Sequence, residues 1–485
     1  MSVKNLEPQA LWSHFADLNA VPRPSKKEER VVAFMLDFGK RLGLETIKDS
    51  IDNVIIKKPA TPGMENRATV VLQSHLDMVH QKNGDTNFDF DQQGIEMLIE
   101  GDWVTANGTT LGADNGIGVA TIMALLESTD IPHPALEALF TIDEETGMTG
   151  AIHVDPTNIS GTILLNLDTE DDDELSIGCA GGIDTNSSYT YTNEAVATSS
   201  SAFEVTIKGL LGGHSGMDIH RGRGNANKLM TRIIRHLLDH TSVRIASFDG
   251  GSLRNAIPRE AKASLVIETS EKSTIESLLA AYIEVLKTEF STVEKALVIA
   301  YTTIETPSFA VSHSETVKFV DVLYSVVNGV YRMSPDIDGL VEASSSLARV
   351  IIKDGTFTTQ SLQRSSVESS KKDVANMVKS SFELIGCEVI QNGDYPGWSP
   401  NAHSPILTIM KDLYIQRYNE EPKIKACHAG LECGILGKHF PGMDMISFGP
   451  NIRAAHSPDE KVQISSVQKY WGYLLETLTK IPAKN

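Results

Sequence analysis

The chain has 485 residues, with 63 acidic against 43 basic side chains and a formal net charge of −20. That balance excludes a nucleic-acid binder, because phosphate recognition needs concentrated Lys and Arg. Only four cysteines occur (Cys179, Cys387, Cys427, Cys433), none closely paired, which excludes a disulfide scaffold and a cysteine zinc site.

The length exceeds what one hydrophobic core usually serves, so two domains are expected. The start, MSVKNLEPQALWSHF, lacks a basic segment followed by an apolar core and a small-residue cleavage site. No apolar run approaches the roughly 20 residues that span a bilayer. The expectation is a cytoplasmic protein with reduced thiols and no membrane attachment.

In chain order, the first strong element is Ala68 to His75, ATVVLQSH, which reads as a buried parallel strand running on into Leu76-Asp77. A period of two puts His75 and Asp77 on one side, where the carboxylate takes the imidazole proton and leaves a neutral ligand nitrogen. A surface histidine beside a solvated aspartate explains this pair alone equally well. Next, LGADNG at Leu111 to Gly116 precedes the apolar stretch Ile117 to Leu126, which reads as a buried helix. Asp114 at its start fits an ordinary N-cap. It also fits a carboxylate with one oxygen on each of two cations about 3.5–4 Å apart.

Leu136 to Glu145, LEALFTIDEE, is a strand ending in three consecutive acids. Their repulsion is tolerated on a solvated loop or where cations neutralise it. Successive strand residues face opposite ways, so Glu144 and Glu145 do different work. Glu145 is assigned to a metal, and Glu144 is the unligated general base that takes a proton from the attacking water. Gly161 to Asp168, GTILLNLD, repeats the pattern of a strand followed by an acid, and His456 in AAHSPDE follows the apolar Met445 to Phe448. Five pieces, each an apolar run followed by a ligand-type residue, coincide far less easily than one. Together they point to a two-metal hydrolase.

Residues 1–182 alternate strand-like and helix-like segments, the pattern of helices packed on a largely parallel sheet. From 183 the texture changes to amphipathic strands such as Ser201 to Lys208 and helices such as Asn227 to Leu238 and Ser273 to Lys287. A comparable order recurs over Ser314 to Leu384, as in a duplicated α+β unit. After Tyr395-Pro396-Gly397-Trp398 the first texture returns, with helices at Pro405 to Tyr418 and Ile464 to Lys480. The expected architecture is an α/β catalytic domain over 1–182 and 399–485, with a mainly parallel sheet and flanking helices. An inserted α+β lid domain occupies 183–398. Open α/β sheets bind ligands beyond the carboxyl ends of their strands, where these acids and imidazoles fall and where a lid can overhang.

The order H-x-D, GADNG, DEE, a strand-ending Asp and a late His resembles the dizinc amidohydrolases related to aminoacylase and carboxypeptidase G. Within them the likeness is greatest to the cytosolic aminoacyl-histidine dipeptidases. It is carried by SHLDMV at Ser74 to Val79, TTLGADNG at Thr109 to Gly116 and FTIDEETGMTGA at Phe140 to Ala151. NLDTE at Asn166 to Glu170, GGHSG at Gly212 to Gly216 and HAGLECG at His428 to Gly434 extend it over nearly the whole chain. The resemblance implies two divalent metal ions bridged by Asp114, zinc foremost, although oxygen and imidazole ligands suit cobalt and manganese too. His75 and Asp168 complete one ion's set, Glu145 and His456 the other's, and Asp77 orients His75.

The implied reaction is hydrolysis of Xaa-His dipeptides, carnosine-like ones included. A tripeptide aminopeptidase or N-acyl amino acid deacylase is the alternative, and a non-catalytic metal-binding scaffold a further one. The family also implies a homodimer through the lid domain, unless the long insert imitates that pairing within one chain. It places His214, Asn255 and Arg364 against the substrate. His214 suits an oxyanion, and the guanidinium fork of Arg364 suits a terminal carboxylate. Each has a plainer reading, as a turn residue among glycines, a turn former and a solvated strand residue respectively. In HAGLECG small residues, Gly430 among them, let a loop backbone approach the substrate closely. Glu432 reads either as the holder of the substrate ammonium or as a solvated loop acid. His80, His133, His220, His403 and His428 read as structural or surface histidines.

Overall fold

The computed structural model describes residues 2–484. They form two compact units. One holds the chain up to Gly178, Trp398–Ala426 and the chain from Leu431 on; the other holds Cys179–Gly397 with Cys427–Gly430. The segment Cys427–Gly430, which sequence texture groups with the first unit, therefore belongs with the insert.

The first unit is built on a sheet whose four central strands run parallel, in the order Leu136–Thr141, Val70–His75, Ile163–Asn166 and Asp444–Ser447. The first three are buried at every position, as expected of strands covered on both faces. Antiparallel strands flank this centre, Val54–Lys58 and Glu45–Lys48 on one side and Glu174–Cys179 on the other. The mainly parallel reading thus holds for the centre, and the edges make the sheet mixed. Parallel register aligns the carboxyl ends, with His75 opposite Thr141 and Ser447 opposite Asn166. The helix Ala113–Glu127 is apolar all round and buried over nearly its whole length, because its sequence offers no polar face to solvent.

A second, four-stranded sheet is absent from the sequence reading. It runs Ile452–Arg453, Lys461–Gln463, Trp103–Ala106 and Met97–Glu100. The hairpin formed by its first two strands carries His456 in its loop and pairs with Trp103–Ala106, Val462 lying opposite Val104. Val104, Leu111, Ile117, Ile452 and Val462 share one buried cluster beneath it. His456 therefore comes off a hairpin rather than directly off the strand Asp444–Ser447. That hairpin ties the His456 loop to the segment leading into Asp114.

The inserted unit is a nine-stranded antiparallel sheet. Its two halves join where Arg244–Gly250 pairs with Val341–Lys353. Helices Ala226–Leu238, Lys272–Phe290, His313–Ser325 and Glu368–Glu383 bury Leu229, Ile233, Leu279, Phe319 and Phe382 in a core with strand residues Phe203, Phe248 and Phe357. The first of these helices starts where the side chain of Asn225 accepts the N–H groups of Asn227 and Lys228. No helix among the described residues is long and apolar enough to cross a membrane.

Candidate active site

The first unit brings all five predicted ligands together at the carboxyl end of its parallel strands. His75 ends the central strand and is 1 % exposed. Its Nδ1 lies 3.3 Å from Asp77 Oδ1, and its Nε2 lies 3.2 Å from Asp114 Oδ1 and 3.6 Å from Asp168 Oδ1. The second oxygen of Asp114 meets His456 Nε2 at 3.2 Å, and that nitrogen lies 3.0 Å from Glu145 Oε2. Asp114 thus turns one oxygen to each imidazole. The N-cap reading of Asp114 fails, because its two side-chain oxygens meet the two histidines and, among the described residues, take no backbone N–H of the helix's first turn.

Burial works against charge on Asp114, His75 and His456, and there the neighbours outweigh it. Asp114 is desolvated, yet its bonds from His456 and His75 hold its carboxyl well below the usual range. His75 is desolvated too, but Asp168, Asp114 and Asp77 push it well above an ordinary histidine. His456 is raised to about 11 by Asp114 and Glu145. Burial first, and then the neighbouring acids, raise Asp168 and Glu144 well above the usual carboxyl range.

Asp77 is fully buried and organises what surrounds it. Its Oδ1 accepts the Glu144 N–H at 3.0 Å, and its Oδ2 accepts the Glu145 N–H at 3.3 Å and the Ser25 hydroxyl at 2.8 Å. The main-chain carbonyl of Asp77, 3.1 Å from His75 Nδ1, and its carboxylate together aim His75, and the carboxylate seats the turn carrying the paired glutamates. That turn corrects the strand argument used to separate them. Glu144–Gly147 is a short helix entered through Asp143 with φ 56°, and successive helical residues diverge by about 100° rather than facing opposite ways.

Whether these residues suit a cation can be judged from the donors themselves. Ligand atoms of His75, Asp114 and Glu145 lie within 4.8 Å of one another. Glu145 Oε1 and Asp168 Oδ1 are buried oxygens with no hydrogen-bond partner among the described residues. Unpaired buried carboxylate oxygens are costly unless a positive charge meets them. Imidazole and carboxylate donors suit divalent ions of the zinc, cobalt and manganese type. A second acidic group, Glu28, Asp77 and Asp143, is spent on protein donors: Asp143 takes Lys26, Thr146 and Thr149, and Glu28 takes the Lys26 N–H.

Two residues that sequence reasoning missed lock the Asp114 loop. Glu460 accepts four successive backbone N–H groups, from Leu111, Gly112, Ala113 and Asp114, at 2.8 to 3.2 Å. Arg23, 1 % exposed, donates to the carbonyls of Leu76 and Asp77 at 3.1 Å and to that of Gly112 at 2.6 Å. Gly112 has φ 70°, and a Cβ there would fall 2.5 Å from the Arg23 guanidinium, so only glycine serves. The signal for Glu460 was its place in AAHSPDE; the lone Arg23 in VPRPS carried none. Glu432 is no solvated loop acid. It is 0 % exposed, accepts Gln73 at 2.6 Å and Thr141 at 2.8 Å, and is pushed by burial to about 7.

In the inserted unit, His214 Nδ1 accepts the N–H groups of Gly216 (3.2 Å) and Met217 (3.0 Å). Burial and the Arg364 charge lower His214 to about 4, so the ring is neutral and its proton sits on Nε2. That Nε2 lies 3.3 Å from Arg364 Nη2. Two donors face one another there. Arg364 is 4 % exposed, which overturns its reading as a solvated strand residue, and no carboxylate lies within ion-pair distance of it among the described residues. Asn255 sits beside His214 through its backbone, its carbonyl accepting the Ser215 N–H at 2.8 Å, while the residue itself is exposed. Gly430 falls in the same unit, after Ala429, whose carbonyl accepts the Ala180 N–H.

Residues 205–294 match the family model described as a peptidase dimerisation domain. Over 482 residues the chain is 42 % identical to cytosol non-specific dipeptidase of Escherichia coli (strain K12), covering 99 % of each. The crystal structure of aminoacylhistidine dipeptidase from Vibrio alginolyticus superposes with a TM-score of 0.94 at 43 % identity, covering 100 % of this chain and 99 % of that one. The aminopeptidase PepT from Bacillus cereus shares the fold alone, with a TM-score of 0.57 at 15 % identity. On the full-length likeness to the first two, the chain belongs to the dipeptidases of the M20 metallopeptidase family.

Proposed function

We propose that the chain is a dinuclear metallodipeptidase that works with zinc and cleaves Xaa-His dipeptides, carnosine-like ones included. The observation that carries the hydrolytic reading is Asp114, which offers one carboxylate oxygen toward His75 and the other toward His456, beside buried oxygens of Glu145 and Asp168 that accept no hydrogen bond among the described residues. His75, Asp114, Glu145, Asp168 and His456 would hold the ions, His75 and Asp168 serving one, Glu145 and His456 the other, and Asp114 both. Divalent ions held there acidify water and polarise the peptide carbonyl.

The remaining work falls to the side chains. Glu144 takes a proton from the attacking water and passes it to the departing amine as the C–N bond breaks. The water oxygen stays on the acyl product, which leaves as a carboxylate. Asp77 keeps Glu144 in place through its backbone N–H. The Nε2–H of His214 donates to the oxyanion, and Arg364, a buried cation without an acid, takes the terminal carboxylate of the dipeptide. Asn255 and the backbone at Gly430 complete substrate contact.

The preference for histidine rests on likeness to the Vibrio alginolyticus enzyme, which is named for that substrate class. The match to a peptidase dimerisation domain supports a homodimer formed through the inserted unit. The Escherichia coli relative is named as cytosolic, which supports a cytoplasmic location. The deciding experiment compares Xaa-His, Xaa-Gly-Gly and N-acetyl amino acids on chelator-treated protein, with and without zinc, cobalt or manganese. Activity that returns with metal and favours Xaa-His is expected. Best turnover of the N-acetyl substrates would sink the dipeptidase reading in favour of a deacylase.

A further inference from the structure

The run Tyr395-Pro396-Gly397-Trp398 marks the end of the insert in the sequence and has no role in the chemistry so far. Tyr395 ends the strand Glu388–Tyr395, opposite Gly182. Its ring lies directly on that glycine: a Cβ at Gly182 would fall 2.6 Å from the phenol oxygen and 2.7 Å from two ring carbons. Its backbone carbonyl accepts Lys371 Nζ at 2.7 Å. Lys371 is itself 1 % exposed and is anchored by Asp394 at 2.6 Å and Glu368 at 2.9 Å. Tyr395 is therefore fixed at both its ring and its backbone.

What this held ring presents is a hydroxyl oxygen, and it accepts Arg364 Nη1 at 2.8 Å. Burial raises the phenol above its ordinary pKa, so the acceptor is neutral. A carboxylate in that position would neutralise the guanidinium and remove its attraction for another anion. A neutral oxygen fixes the plane of the fork and leaves the charge unspent. The other side of Arg364 is consistent with this: Nε is buried without a partner, and Nη2 faces the donor nitrogen of His214. Buried donors left this way call for an anionic acceptor.

We propose that Tyr395 is a positioning residue that orients Arg364 for the terminal carboxylate of the substrate. This rests on the reading of Arg364 as the carboxylate clamp. Tyr395→Phe removes one oxygen and keeps the ring packing on Gly182. The experiment measures kcat and KM for an Xaa-His dipeptide and for the same dipeptide with a C-terminal amide, in wild type, Tyr395→Phe and Arg364→Met. For Tyr395→Phe, KM for the free dipeptide rises about tenfold, the size of one lost hydrogen bond to a charged group, while its kcat and the amide kinetics stay within about twofold.

Parallel losses on dipeptide and amide would mark Tyr395 as merely structural and overturn the proposal; so would unchanged kinetics on both. If Arg364→Met abolishes the preference for the free carboxylate and Tyr395→Phe does not weaken it, the positioning role alone falls. If Arg364→Met retains the preference, the clamp reading falls and the role of Tyr395 with it.

Discussion

Asp114 is the residue on which most of the chemistry converges, since both imidazoles reach it and burial gives each contact weight. Glu144 is its counterpart: raised by burial and by Glu432, Glu145 and Asp114, it is poised to accept a proton rather than to stay fully ionised. Glu144→Gln keeps the volume and removes the base. Turnover is expected to fall by about 10²–10⁴-fold with metal content unchanged, read by steady-state kinetics beside elemental analysis. Undiminished turnover would take Glu144 out of the mechanism. The candidate ligand set was legible in the sequence because His75, Asp168 and the 143–145 acids each follow an apolar run that reads as a covered strand. Arg364 was not, because a lone arginine in an amphipathic strand looks solvated until the packing around it is known.

Among elements, the loop Leu111–Asp114 is the one held most tightly, since a single carboxylate satisfies four successive N–H groups that no helix or strand partner takes. Glu460→Gln replaces one accepting oxygen with an NH₂ group that faces donors. Metal affinity is expected to weaken by about 10- to 100-fold, the usual effect of losing an outer partner of a ligand. A competitive chelator titration reads this, and equal affinity in variant and wild type would show that Glu460 does not set the ligand geometry. The hairpin carrying His456 was not foreseen for a related reason. Its strands, Ile452–Arg453 and Lys461–Gln463, are two and three residues long, too short to show a period of two, and they exist only because Trp103–Ala106 offers an edge.

For the whole molecule, stability follows from which charges the fold leaves unbalanced. Glu144, Glu145, Asp114 and Asp168 crowd one basin, so cations that bind the folded state stabilise it by mass action. At zinc near 100 times its dissociation constant the gain is about 2.7 kcal/mol, read as a higher melting temperature that chelation reverses. A melting curve indifferent to chelator would count against the metal centre. Acid acts on the inserted unit through His214 and His428. Burial and the Arg364 charge lower them to about 4 and about 3, against 6.5 for an ordinary histidine. Between pH 6.5 and 4 the unfolded chain therefore binds the extra protons, and stability falls as pH falls, by up to about 1.4 kcal/mol per pH unit for each ring. His428→Gln should flatten the dependence of melting temperature on pH in that window relative to wild type. Identical slopes would mean that His428 is not buried neutral.

The sequence by itself determined the parallel centre of the catalytic sheet, the buried helix after Asp114, the family and the order of the ligand-type residues. Each of these rests on local periodicity of apolar side chains and on residue types recurring at their ends, and both survive in a string of letters. Only the tertiary structure decided which charges are desolvated and which have partners. It buried Glu432, set Glu460 under four N–H groups, threaded Arg23 between two loops and left Arg364 a cation without an acid. Hydration and charge pairing depend on what covers a group from elsewhere in the chain. Gln73 and Glu432 meet across 359 residues, and no local pattern records such a contact.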